Sequence, residues 1–394
     1  MRRTSLLRAL ALIVPPLGAL ACTSILGTFE VATSAPDAAV DSATPALDVS
    51  VPTDATADTS SNDAGPTCAP GQAPCGQTCV DLQTNEQNCG RCGRSCGGSG
   101  CEKGACAKLV LATAEKPHGI AIDDTEVYFT TYNGGGSDFV ATVSKKPGNA
   151  LTKLAERQDL PSLLAIANKR VYWTNWSTGH VRSAGAPLGQ FIENAQLPSG
   201  SGAPFGIVAT GASVFAVSYD TGNVYSIPVT QGTPTEVGKT AKSATSMAAL
   251  NNSLFVTAQN NPGAGLYRVN PATKESMNLA AGARAWGVAA AGTSVYFSDH
   301  IAGTITRIAL GGGGGITVIA KNLGAPRGVA VDNTHVYWAD FGTGSIARVP
   351  RDAQAVTPEE VIATGLSGVT SIALDANFVY FAALNAGVVG KVAK

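Results

Sequence analysis

The stretch GVAVDNTHVYWADF at residues 328–341 occurs in seven versions along the chain, and this repetition decides the fold. The other six versions align with it without a gap and begin at Gly119, Leu163, Gly206, Ser246, Gly287 and Ser371. Consecutive versions begin 40 to 44 residues apart. A period of about 40 to 50 residues is typical of β-propeller blades, each of which has four strands.

Each version has the pattern of a β-hairpin. A short apolar run is followed by turn residues and then by an apolar-aromatic pair, which predicts a strand, a turn and a second strand. Segments such as GTITRIAL and ITVIAKN indicate third and fourth strands. The aromatic residue is present in every version, so we expect it to pack between neighbouring blades. These residues are Tyr128, Tyr172, Phe215, Phe255, Tyr296, Tyr337 and Tyr380.

The repeats predict an all-β fold, a seven-bladed β-propeller over residues 108–394. Six blades are the alternative if the weak version at Ser246 pairs irregularly. The last version ends at Lys394 after its third strand, whereas LVLATAEK at residues 109–116 precedes the first version as ITVIAKNL precedes Gly328. Because an open strand edge would otherwise remain, we expect the N-terminal strand to complete the last blade.

The segments VYWADF, VYWTNW and VYFSDH resemble the YWTD and NHL families of propeller repeat, over roughly residues 109–394. The resemblance implies the propeller fold and little about function. YWTD propellers usually have six blades and an Asp after the Trp-Thr pair; here Asp299 and Asp340 match that Asp, and Asn175 is close. The other four versions depart from the family pattern, with Thr131, Ser218, Ala258 and Ala383.

Residues 1–21 have the features of a secretory signal peptide, since three arginines precede an uncharged run that is too short for a membrane span. Cys22 follows an Ala-Leu-Ala sequence that fits a cleavage site or a lipobox, although a lipobox usually has Leu where this chain has Ala19. The other eight cysteines form an even set, which favours lipidation of Cys22. We predict a chain exported to the outer membrane or cell surface and anchored by lipid, with free secretion as the alternative.

Residues 22–66 are predicted to be a disordered, lipid-anchored linker. Between residues 30 and 66 there are seven acidic side chains and no Lys, Arg or aromatic residue. Such a segment buries too little apolar surface to offset the entropy of ordering. The lipid would be the only contact of the chain with the membrane.

Residues 67–107 form a cysteine-rich module with too few apolar residues for a hydrophobic core. The spacing fits zinc or disulfides, and export favours disulfides, with on the order of 100 pairings open. The run CGQTCVDLQTNEQNCGRCGRSC resembles cysteine-rich units of predicted bacterial surface lipoproteins, which implies location rather than activity. The module would be a spacer or cap, or alternatively would bind a peptide or glycan. The cysteines are Cys68, Cys75, Cys79, Cys89, Cys92, Cys96, Cys101 and Cys106.

The charge balance excludes one class of partner. Lys and Arg number 27 and Asp and Glu number 28, which gives a net charge of −1. Binding to a phosphate backbone needs a basic surface, so nucleic acid is excluded as the default partner. We expect a monomer with an envelope protein or a glycan as its ligand.

Two rings of residues are predicted around one mouth of the propeller channel. The loops before the innermost strand and between the second and third strands share one face, which is usually the binding face. Amphipathic aromatic residues there suit protein or glycan contacts, although they could merely cover the ends of the blades. The candidates directly before a version are His118, Phe205, Trp286 and Arg327, and those thirteen residues after its start are Tyr132, Trp176, Tyr219, His300 and Phe341.

The sequence contains no catalytic constellation, neither a nucleophile elbow nor a P-loop, and we predict no metal and no cofactor. Propeller lyases that act on cyclic peptide lactones have similar repeats, and this resemblance implies a His, a Glu and Mg²⁺ at the mouth; no Glu falls in either ring. We therefore predict a non-enzymatic binding or scaffold module for protein or glycan, with a propeller-type lyase or hydrolase as the alternative. Asp123, Asp332 and Asp375 are interpreted as turn residues that accept backbone N–H groups.

Overall fold

The computed structural model describes residues 66–185, 191–211, 213–260, 262–311 and 315–394. The predicted signal peptide, Cys22 and all but the last residue of the predicted linker lie outside these residues. Within the described ranges, no helix has the length and apolar composition needed to cross a membrane.

The cysteine-rich module forms two short hairpins held by four disulfides. The first hairpin consists of β1 (Ala73–Cys75) and β2 (Thr78–Val80), and the second of β3 (Cys101–Glu102) and β4 (Ala105–Cys106). The predicted disulfides are confirmed, and all eight cysteines are used. The pairs are Cys68–Cys79, Cys75–Cys92, Cys89–Cys101 and Cys96–Cys106.

Seven four-stranded antiparallel sheets form the blades, which confirms the predicted fold and the number seven. The strand β5 (Leu109–Thr113) follows the cysteine-rich module. Blade 1 contains β6 (Pro117–Ile122), β7 (Glu126–Thr131), β8 (Asp138–Ser144) and β9 (Thr152–Gln158). Blade 2 contains β10 (Pro161–Ala167), β11 (Arg170–Asn175), β12 (His180–Gly185) and β13 (Ile192–Gln196). Blade 3 contains β14 (Pro204–Ala209), β15 (Val214–Ser218), β16 (Asn223–Ile227) and β17 (Thr235–Lys239). Blade 4 contains β18 (Ala244–Leu250), β19 (Ser253–Ala258), β20 (Gly265–Val269) and β21 (Ser276–Asn278).

Blades 5 to 7 complete the ring. Blade 5 contains β22 (Ala285–Ala291), β23 (Ser294–Asp299), β24 (Thr304–Ala309) and β25 (Ile316–Ala320). Blade 6 contains β26 (Pro326–Val331), β27 (His335–Asp340), β28 (Ser345–Pro350) and β29 (Glu360–Ala363). Blade 7 contains β30 (Val369–Leu374), β31 (Phe378–Ala383) and β32 (Val388–Ala393), with β5 as its outermost strand. The predicted closure is confirmed by antiparallel pairing of Val389 with Ala112 and of Lys391 with Leu109.

The core consists of seven apolar clusters, one between each pair of adjacent blades. Each cluster contains one member of the predicted aromatic column, and all seven rings are at most 8% exposed. Tyr337, for example, packs between blade 6 and blade 7 with Ile346 and Phe381. The prediction that these rings join neighbouring blades is confirmed, and their burial stabilises the closed circle.

The three repeated aspartates close the turn after the innermost strand, as interpreted from the sequence. Asp123 Oδ1 accepts the N–H groups of Thr125 and Glu126 at 2.9 and 2.8 Å. Its other oxygen accepts the hydroxyl of Tyr128 at 2.6 Å. Asp332 and Asp375 repeat this arrangement with the tyrosine of their own version. The aspartates therefore connect the turns to the aromatic column.

The cysteine-rich module packs against blades 6 and 7. Phe378 of β31 lies in a cluster with Cys96, Cys106 and Ala393. Gly97 has a φ of 59°, and a Cβ there would meet the Phe378 ring at 2.7 Å, so this contact requires glycine. The module therefore sits beside the C-terminal strand.

Glu360 of blade 6 forms the polar part of the same interface. Its Oε1 lies 2.7 Å from Arg91 Nη1 and 4.0 Å from Arg94 Nη1, both of the module. Its Oε2 lies 3.0 Å from Nη2 of Arg348 in β28. One carboxylate thus balances cations from two parts of the chain.

Candidate functional site

Backbone geometry places the two predicted rings at one end of the channel. The first ring consists of the residues directly before each version, and the second ring of the residues thirteen after each start. In all seven blades, the N–H of the second-ring residue donates to a carbonyl two residues before the first-ring residue, as Tyr132 does to Lys116 and Phe341 to Ala325. In all seven blades, the innermost strand also has a register shift at the first-ring position. A β-bulge of this kind re-aims the side chain that it contains.

Buried hydroxyl groups connect first-ring residues to the preceding blade. Ser298 Oγ of blade 5 donates to the carbonyl of Arg327 in blade 6 at 2.6 Å and accepts the N–H of Gly287 at 2.9 Å. The close approach also explains Gly287, because a Cβ there would overlap the Arg327 carbonyl. Equivalent hydroxyl-to-carbonyl hydrogen bonds join Thr130 to Ser162, Thr174 to Phe205 and Thr257 to Trp286. Between blades 7 and 1, the hydroxyl of Thr370 donates to the carbonyl of His118.

Sequence reasoning missed these hydroxyl bridges, although a signal was present. Four of the seven versions have Ser or Thr at the same position, one residue before the position of the YWTD-type Asp. Each of the four hydroxyl-bearing residues is fully buried. A recurring polar residue between apolar neighbours indicates a repeated hydrogen bond. They are Thr130, Thr174, Thr257 and Ser298.

The two rings enclose a cavity of about 230 Å³, called here the mouth cavity. Its wall is mainly aromatic. The Trp176 ring lies 4.7 Å from Tyr219 and 5.3 Å from Phe205, whose plane is at 87° to it, and His118 stacks on Tyr132 at 4.9 Å. Since these aromatic side chains lie at different angles to one another, they form the walls of a box. The lining residues are His118, Tyr132, Trp176, Phe205, Tyr219, Thr245, Trp286, Arg327 and Leu384.

Arg327 supplies the only side-chain charge among these lining residues at neutral pH. Its guanidinium carbon lies 4.4 Å from the ring centroid of Trp286 and 3.5 Å from that of Phe341. Within the described part of the chain, no carboxylate pairs with it, and its buried Nε has no hydrogen-bond partner. Burial lowers the Arg327 pKa to about 10, so the group remains a cation. The mouth cavity therefore contains a positive charge held between two aromatic faces.

His118 is the second polar group of the wall. Burial, followed by the nearby charge of Arg327, outweighs its hydrogen bond to Ser162 and lowers the His118 pKa to about 4. The imidazole is therefore neutral at pH 7. Its Nδ1 lies 3.4 Å from the Ser162 carbonyl, which can only accept, so Nδ1 carries the proton. This tautomer leaves Nε2 as a hydrogen-bond acceptor.

Seven of the nine candidate residues line the mouth cavity, and the other two contact lining residues. His300 lies 5.2 Å from Trp286 in ring-centroid distance and donates from Nδ1 to the Arg284 carbonyl at 2.8 Å. Phe341 provides the face on which Arg327 lies. Thr245 and Leu384 line the cavity without having been candidates, because a small hydroxyl and an aliphatic residue gave no signal of their own.

The donor set of the mouth cavity does not fit a metal centre. The lining residues offer one imidazole and no carboxylate or thiolate. Across the described ranges, the one group of three or more potential ligands that lie near one another is Cys89, Cys96 and Cys106, all of which are in disulfides. The mouth cavity can therefore stack on a ring and contact an anion, but its side chains supply no carboxylate to hold a metal ion.

Solved structures share this fold at low sequence identity. A catalytically inactive virginiamycin B lyase from Staphylococcus aureus, with quinupristin, matches with a TM-score of 0.62 and 17% identity over 73% of this chain and 98% of that chain. The WD40 propeller domain of Doa1 matches with a TM-score of 0.57 and 10% identity over 73% and 97%. The extracellular domain of BT4673 from B. thetaiotaomicron matches with a TM-score of 0.54 and 12% identity over 72% of this chain and 42% of that chain. No protein-family model and no curated protein sequence matches the chain. These likenesses establish the propeller fold alone.

Proposed function

We propose that this chain is a non-enzymatic binding module of the exported compartment, and that its propeller holds the end group of a glycan in the mouth cavity. The observation that carries the proposal is the aromatic wall of that cavity. Tyr132, Trp176, Tyr219 and Trp286 are only half-buried, although they contact other rings. A ligand that covers these faces would remove apolar surface from water and would be held by stacking.

Packing alone accounts poorly for the composition of the two rings. The aromatic column between the blades contains the same type of residue in every blade and is buried throughout. The mouth positions vary from Arg327 to Leu384 within one circle. Variation of size and polarity around one cavity suits an asymmetric ligand, whereas a purely structural lid would be uniformly apolar.

The lyase alternative has less support. The similarity to virginiamycin B lyase concerns the fold, and the same fold carries many functions. The mouth cavity has His118 but no carboxylate, so the Glu that the resemblance to lyases implies is missing from its wall. At about 230 Å³, the cavity is also smaller than the ~300–1,000 Å³ usual for drug-sized ligands. It suits one ring of a ligand better than a whole cyclic peptide.

Export and anchoring belong to the same proposal. Four disulfides in the module favour an oxidising compartment, and an extracellular domain is among the proteins that share the fold. Cys22 would carry the lipid. Metabolic labelling with a fatty-acid analogue should label the native chain and leave Cys22→Ala unlabelled; equal labelling of both would contradict the anchor.

A glycan array probed with the purified protein tests the binding function. Trp176→Ala should weaken binding to every captured glycan at least tenfold, since it removes one wall of the cavity. Phe191→Ala is the matched control, because Phe191 is an exposed aromatic residue outside the cavity. Circular dichroism should show that both variants fold. Glycan binding that is equal in the two variants would contradict the assigned site.

A further inference from the structure

We infer that the mouth cavity selects a ring that carries a carboxylate, namely the acidic end sugar of a glycan, and that Arg327 contacts the carboxylate. This inference rests on the proposed function and adds the chemical class of the ligand.

The charge already present in the mouth cavity favours one charge of ligand over the other. Boxes of aromatic side chains commonly bind cations, because the ring faces are negative. Here Arg327 already lies against Trp286 and Phe341, at 4.4 and 3.5 Å. A cationic ligand would meet a like charge in the same small cavity. An anion would gain a charge-assisted contact instead, so the electrostatics favour an acidic ligand.

Arg327 lacks an anionic partner within the described part of the chain. The guanidinium has five N–H donors; its buried Nε has no hydrogen-bond partner, and no described carboxylate pairs with the group. Burial lowers the Arg327 pKa, and an anion paired with the guanidinium would offset part of this desolvation. A guanidinium fork matches a carboxylate in a bidentate manner. The ligand would thus supply the partner that the protein lacks.

The hydrogen-bonding groups of the cavity wall favour a sugar acid over an aromatic acid. His118 is neutral and presents Nε2 as an acceptor, so it fits a ligand hydroxyl. Burial raises the pKa of Tyr132, which keeps its phenol protonated as a donor. An aromatic acid without a phenol group has no hydroxyl for His118, whereas a sugar acid has several. The C–H faces of a pyranose can also stack on the rings of Trp176 and Tyr219.

Binding measured by tryptophan fluorescence or calorimetry tests the inference. The probes are oligosaccharides that end in glucuronate or galacturonate, and the same chains that end in the neutral hexose or in an amino sugar. We expect the acidic chains to bind about tenfold or more tightly than the neutral ones, with the amino sugars weakest, and the preference to shrink at high salt. Neutral chains that bind equally well would overturn it.

Three arginine variants make the result specific. Arg327→Met should abolish the preference for acidic chains. If Arg327→Met folds poorly, Arg327→Lys takes its place and should retain part of the preference. Arg284→Met is the matched control, because Arg284 is exposed and lies outside the cavity wall. A preference that survives Arg327→Met in folded protein would refute the inference. So would tighter, Arg327-dependent binding of an acidic peptide.

The two proposals fail in distinguishable ways. If neutral glycans bind, and Trp176→Ala but not Arg327→Met weakens them, then the binding function stands and the acidic ligand is wrong. If no glycan of either kind binds, and Trp176→Ala changes nothing, then both are wrong.

Discussion

The hydroxyl bridges between blades should contribute measurably to stability, and Ser298→Ala is the sharpest perturbation. The change removes one oxygen that serves two buried backbone groups, the N–H of Gly287 and the carbonyl of Arg327. An unsatisfied buried group costs about 1–3 kcal/mol, so we expect a loss of about 2–4 kcal/mol after partial relaxation. For a propeller of about 290 residues, the unfolding entropy of ~2.1 cal/mol/K per residue converts about 3 kcal/mol into about 5 °C of thermal midpoint.

Differential scanning calorimetry of three variants provides the assay. Thr130→Val makes the same change in blade 1, where the hydroxyl bridges Gly119 and Ser162. It should cost a similar amount of stability. Ser137→Ala removes an exposed hydroxyl and should leave the midpoint unchanged. Midpoint shifts below about 1 °C for both buried variants would refute the reasoning that these hydroxyls join the blades.

The same pair of variants separates stability from function. Ser298 holds the carbonyl of Arg327, which supplies the cation of the mouth cavity, whereas Thr130 holds that of Ser162, which bonds His118 Nδ1. The preference for acidic over neutral glycans should therefore fall in Ser298→Ala and persist in Thr130→Val. Loss of the preference in both variants would show that the effect is global destabilisation.

Three further predictions concern the ion pair of Glu360, the turn carboxylate of Asp375 and the cysteine-rich module. Glu360→Ala should lower stability by about 3 kcal/mol, since it leaves the buried Arg348 without its anion, while Glu156→Ala, at an exposed pair, should change the urea midpoint little. Burial raises the pKa of Asp375, but hydrogen bonds from Tyr380 and the turn amides outweigh it and hold the pKa at about 2. Because this folded pKa lies below the unfolded value, the carboxylate stabilises the folded chain above pH ~4, and about 2 kcal/mol of this stabilisation is lost as the pH falls towards ~2. Asp375→Asn should therefore flatten the dependence of the unfolding free energy on pH in that window. Thiol titration of the denatured, unreduced chain should detect no free thiol in residues 66–394, and reduction should release eight; a zinc-binding module would instead show free thiols after chelation.

Repetition made the fold readable because a propeller is built from one unit whose local pattern recurs. Each version shows its own strands and its own aromatic residue, such as Tyr337, and the truncated last version shows where β5 must pair. The positions of the two rings also followed from the repeat, since equivalent loops of equivalent units share one face. These features depend on spacing along the chain, which the amino-acid sequence by itself determines.

The mouth cavity depended on contacts between residues far apart in the chain. That Arg327 lies between Trp286 and Phe341, and that His118 is buried and neutral, results from the packing of neighbouring blades. The disulfide pairing likewise became clear only in three dimensions, because eight closely spaced cysteines offer many pairings and the fold brings Cys96 next to Cys106 beside Phe378. Sequence fixes which side chains reach the channel mouth, whereas their distances, burial and charge states arise only when the ring closes.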